Sequence, residues 1–135
     1  MIISQTVRTA YEKAVRALIQ QNTRSRSAGS CMYRASSEPG CNKCFIGHML
    51  ADEQYYPELE GNAIDMLMVQ DAVDASLGCE LISEEWSLLD KAQGIHDMAI
   101  LKESIAAWPV AFAKLATRFD PDWTPVFEAR TDDNA

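Results

Sequence analysis

Between Cys31 and Gly61 the chain collects three of its four cysteines, one of its two histidines and three of its four tyrosines. Cys31, Cys41, Cys44 and His48 form a C-x9-C-x2-C-x3-H pattern. A C-x2-C knuckle lets two thiolates meet one ion, and four soft donors are what tetrahedral zinc takes. A second paired knuckle is missing, however. The preferred reading is therefore that Cys31 and Cys44 are small buried residues and Cys41 lies in a turn. No cofactor is expected on that reading, and a zinc-stabilised structural module is the alternative.

A second chemistry would use Cys44 as a nucleophile with His96 and Asp97. An activated thiol needs a base within hydrogen-bond reach and a third group to orient that base. The spacing does not bring Cys44 to His96, and no oxyanion-hole glycine motif accompanies them. His96 is instead expected to satisfy the last carbonyls of a helix or to pack on Trp86, and no catalytic residue is assigned.

Asp52, Glu53, Tyr55, Tyr56, Glu58 and Glu60 make an aromatic–acidic loop. Tyrosine rings offer large contact area at low entropic cost, and carboxylates around them address Arg and Lys. These six residues are the expected partner-binding site, with the segment Trp123–Phe127 as the second choice. A basic cluster of Arg24, Arg26, Arg34 and Lys43 beside Tyr33 could address nucleic acid. No nucleic-acid-binding signature accompanies it, and the sequence pI is about 4.6. These cations are expected to pair with the protein's own carboxylates.

The charge is divided unevenly along the chain. Residues 1–51 carry a balance of +5, residues 52–97 a balance of −11 with Lys91 as the one cation, and residues 98–135 a balance of −2. Such a block repels nucleic acid and attracts a basic partner surface. No apolar run reaches the ~18 residues of a membrane span, and the first residues lack a signal-peptide pattern. A soluble intracellular protein with reduced thiols is expected.

The elements that must position these residues are mostly helical. Val7, Tyr11, Val15, Leu18 and Ile19 predict a helix over 4–21. Residues 31–34 and 43–50 predict a small hairpin about the turn SSEPG, or an irregular loop with 43–50 as a short helix. Asn62 as N-cap and Gly78 as terminator predict a helix over 63–77, and Ser83 is expected to cap the next. Leu101, Ile105, Trp108, Phe112, Leu115 and Phe119 form a narrow seam, in which Pro109 marks a kink or a late start. The fold class expected is mainly α: one compact four-helix domain over 1–119 with a small cysteine-bearing hairpin or loop, then an extended acidic tail over 120–135. Val7, Tyr11, Leu18, Leu67, Leu89, Ile105, Phe112 and Leu115 are the predicted core.

Cys31-x-Tyr33-Arg34, Lys43-Cys44-Phe-Ile-Gly47, Leu50-Ala-Asp52-Glu53-x-Tyr55 and Glu60-Gly61 together resemble a group of small proteins from tailed phages and prophages. The core of that group runs roughly C-x-Y-R…K-C-A-[VI]-G-x-L-I-P-D-E-x-Y…E-G. The similarity continues through Leu89, Ala92, His96-Asp97 and Trp108 and covers about residues 31–116. Cys41 and His48 stand at positions where the group varies, and Ala51 stands where it has Pro. The resemblance implies a phage accessory protein and carries no activity with it. Joined to the charge pattern, it leads to the expectation of an inhibitor that binds a host protein with a basic surface in the host cytoplasm. It would block a defence or nucleic-acid-handling complex, without touching nucleic acid or membrane. Association of two copies through the Leu101–Phe119 seam is the further expectation.

Overall fold

The computed structural model describes residues 2–27, 30–36, 41–97 and 105–128. Helix α1 (Gln5–Gln21) begins where the Ser4 hydroxyl accepts the Val7 N–H, and ends at Asn22 in the left-handed region. Its apolar stripe of Val7, Tyr11, Ala14, Val15 and Leu18 is buried. Two arginines beside that stripe are buried as well, and both reach the far end of the chain. Arg8 pairs with Asp120 and donates to the Ile3 carbonyl, and Arg16 donates to the Val126 carbonyl at 2.9 Å.

Two two-residue strands follow, β1 (Arg26–Ser27) and β2 (Ser30–Cys31), paired antiparallel. Helices α2 (Phe45–Met49), α3 (Leu67–Leu77), α4 (Ser83–Asp97) and α5 (Trp108–Phe119) complete the architecture, with 3-10 turns at Asp52–Gln54, Pro57–Leu59 and Ile105–Ala107. Among the described residues the five helices all contribute to one apolar core. At its centre the Tyr11 ring meets Phe45, Phe112 and Trp123 at centroid distances of 5.5, 6.2 and 5.0 Å, and its hydroxyl donates to the Phe112 carbonyl. Among the described residues no helix is long and apolar enough to cross a membrane.

The mainly α class agrees with this architecture, and the cysteine-bearing hairpin does not. Residues 43–50 turn into α2, so 31–34 find no second strand there. An antiparallel bridge, Arg34 with Lys43, and the Ala35 N–H on the Asn42 carbonyl join the two segments. Helix α3 starts four residues later than its capping pattern predicts. The Asn62 carbonyl accepts the Tyr33 hydroxyl and its side-chain amide donates to the Glu58 carbonyl, which holds 62–66 in turns. The later start changes the buried face: Val69, Ala72 and Val73 enter the core, and Leu67 is 70% exposed. Ile105 is only partly buried. Ser83 is the first residue of α4 rather than its cap. Buried Glu85 accepts the Ile82 N–H, and its other oxygen accepts the Ser4 N–H at the start of α1.

Pro109 marks the late start of α5, in whose first turn it needs no N–H partner. Trp108, Phe112 and Leu115 of the seam are buried within the chain itself, so association through them would have to open the core. Leu101 lies outside the described residues. Nor does the core stop at residue 119. Asp120 and Trp123 are buried, and the Glu12 carboxylate accepts both the Trp123 indole N–H and the Val126 N–H.

Candidate functional site

Gly47 fixes the geometry of the cysteine-rich segment. A Cβ built there would lie 1.9 Å from the Tyr33 carbonyl oxygen. The Tyr33 backbone therefore crosses directly over α2, and glycine alone permits that approach. The crossing delivers the Tyr33 and Arg34 N–H groups to the Glu60 carboxylate at 2.9 and 3.0 Å, and the Tyr55 hydroxyl donates to the same carboxylate at 2.7 Å. The Arg34 guanidinium lies over the Tyr55 ring, 4.5 Å from its centroid, and donates to Asp52 at 2.6 Å. Burial and the bond to Glu60 push the Tyr55 hydroxyl up to about 12.

The six residues expected to meet a partner are thus divided. Glu60, Tyr55 and Asp52 enclose Arg34, although the Asp52 side chain remains 84% exposed. Glu53, Tyr56 and Glu58 are exposed. Tyr55 and Tyr56 both have extended backbones, and successive side chains of extended chain point to opposite sides. Tyr56 lines a shallow hollow with Met68, Asp71, Ala72 and Ala75.

Cys44 is buried at the start of α2, where its sulfur accepts the Gly47 N–H at 3.4 Å. Burial pushes the thiol up to about 12, against the smaller opposing effect of that N–H. His96 is equally buried. Its Nε2 accepts the Ser25 N–H at 3.0 Å, so in the neutral ring the proton sits on Nδ1, which donates to Asp97 at 2.8 Å. The Gln93 amide donates to the same Asp97 oxygen, and its carbonyl accepts the Ile46 N–H. His96 and Asp97 are brought together as the sequence allows, but the imidazole's second nitrogen faces a backbone amide. The His96 ring stacks on Trp108, 5.8 Å away, rather than on Trp86.

His48 donates from Nε2 to the Gln21 side-chain oxygen, and burial lowers it to about 4, helped by Lys43, His96 and Arg34. Cys41 is half-buried, and the Cys31 side chain lies outside the described residues. Among the described residues no group of three or more His, Cys, Asp and Glu side chains is placed to hold a metal ion. Of the basic cluster, Arg34 pairs with Asp52, and Arg24 donates to the His96 carbonyl and lies over the Trp108 ring. Their partners are the protein's own groups.

The sequence pattern did not reveal the hollows along α4. Residues 83, 86, 87, 90, 93 and 97 fall on one face of that helix, opposite the chain at 60–65. An inner hollow of about 330 Å³ is lined by Tyr33, Cys44, Glu60, Asp90, Gln93 and Asp97, among others. An outer one of about 400 Å³ lies between Ala63–Asp65 and the α4 residues Ser83, Trp86, Ser87 and Asp90. The i, i+4 pair Trp86–Asp90 was the signal available for it. No family model, curated protein or solved structure matches this chain.

Proposed function

We propose that the protein is a phage-type accessory protein that binds a basic surface on a host protein in the host cytoplasm. Bound there, it would obstruct a defence or nucleic-acid-handling complex. The phage assignment rests on the motif resemblance from Cys31 to Trp108. The binding mode rests on one observation: of the twelve carboxylates in residues 52–97, only Glu60, Asp74, Glu85 and Asp97 are drawn inward, leaving eight exposed around a single lysine. A surface of that kind steers a cationic partner from a distance and offers little to nucleic acid.

Tyr56 takes the anchoring role in this reading, because its ring stands at an exposed hollow while Tyr55 is held by Glu60 and Arg34. The reading uses no cofactor and no catalytic residue. The Cys44 thiol serves as a helix cap and a packing group.

The test is capture from a bacterial lysate by the wild type and by the triple variant Glu53→Gln, Glu58→Gln, Asp71→Asn, at low and high salt. The variant should keep its thermal midpoint and lose association rate by about tenfold, with a weaker salt dependence. Capture that is indifferent both to salt and to these three charges would overturn the proposal.

A further inference from the structure

The outer hollow of α4 has a composition that the acidic surface around it does not explain. Its lining brings together the half-buried Trp86 and Ser87, the exposed Asp65 and Asp90, and Ala63 and Ile64. Among the described residues the Trp86 indole N–H, the Ser87 hydroxyl and both carboxylates have no hydrogen-bond partner. The hollow therefore combines an aromatic ring, an apolar wall and two unpaired anions in a volume of about 400 Å³.

A ligand that satisfies all of these carries a cation on an apolar stem. A guanidinium stacks on an indole, donates to carboxylates on either side in its own plane, and leaves its methylenes against apolar residues. We infer that the hollow lined by Asp65, Trp86, Ser87 and Asp90 receives an arginine side chain of the partner protein. Arginine fits better than lysine because its several coplanar donors can serve Asp65 and Asp90 at once, whereas an ammonium acts as a point charge. The inference rests on the reading above, that the partner presents a basic surface, and it names where one residue of that surface enters.

The probe is a capped tetra-arginine peptide, with capped tetra-lysine as comparison, followed by the three indole N–H resonances of the intact protein. Trp108 and Trp123 are buried, and Trp86→Phe identifies the remaining signal. Tetra-arginine should shift the Trp86 resonance saturably and more strongly than tetra-lysine. Asp65→Asn and Asp90→Asn, both at exposed positions, should each weaken that binding by about fivefold. An unmoved Trp86 resonance at millimolar peptide, equal responses to the two peptides, or binding unchanged in both Asn variants would each overturn the site. Such a failure is distinguishable from failure of the broader reading, which is judged by salt-dependent capture and the Glu53, Glu58 and Asp71 charges.

Discussion

The layer formed by residues 31–36 and 41–61, and the outer face of α4 with the turn before α3, are built from similar side chains, carboxylates and aromatic rings, put to opposite uses. In the first, Glu60 accepts two backbone amides and a phenol, and Tyr55 lies under Arg34. In the second, Asp65, Trp86 and Asp90 surround open volume. The difference originates in the backbone. Gly47 lets a chain segment pass close enough to deliver its N–H groups to a carboxylate, while α4 has already satisfied its own amides and leaves its side chains to solvent. Carboxylate count alone therefore says little about where a partner binds.

The largest expected effect breaks the first region at its crossing. Gly47→Ala places a methyl group against the Tyr33 carbonyl, a backbone atom that cannot swing aside. A loss of about 4 kcal/mol or more is expected, enough to unfold much of a small domain, as denaturant titration or circular dichroism would record. Gly94→Ala, with nothing near its Cβ position, is the matched control in the second region and should leave stability unchanged or raised.

Next comes Glu60→Ala, which leaves two N–H groups and a phenol without their acceptor and should cost about 3 kcal/mol in chemical denaturation. Glu53→Ala, an exposed carboxylate of the same acidic segment, should stay within about 0.5 kcal/mol of wild type. Equal effects from the two would erase the distinction between the regions.

The smallest effect is read in acid. His48 is held near 4, so below its ordinary value of 6.5 the unfolded chain binds a proton that the folded chain refuses. Stability is thus full above pH 6.5 and falls as the pH drops toward 4, by about 2 kcal/mol at pH 5. His48→Gln should flatten the slope of the unfolding free energy across that window. An unchanged slope would place His48 in contact with solvent and loosen the first region.

Much of this was legible where the cause was local. The α1 stripe, Gly78 in the left-handed region ending α3, and Pro109 opening α5 each follow from neighbouring residues. What escaped was decided across the fold. Asn62 has the chemistry of a cap, yet a hydroxyl 29 residues away occupies its carbonyl. Tyr55 and Tyr56 are the same residue type side by side, and only the extended backbone assigns one inward and one outward. Of the aromatic–acidic loop, Asp52, Glu53, Tyr56 and Glu58 are exposed. Tyr55 and Glu60 are held inward because the Tyr33 and Arg34 amides reach Glu60 from 27 and 26 residues away, and nothing in the spacing joins them.

The ties from α1 to Asp120, Trp123 and Val126 set a timetable for the protein's birth. Tyr11 is synthesised early, but the ring that closes over it is Trp123, more than a hundred residues later. Until that tryptophan clears the ribosome, the apolar stripe of α1 lacks part of its cover. Contacts so distant in sequence slow folding, and the nascent chain must wait on residues 120–126 before this core can seal.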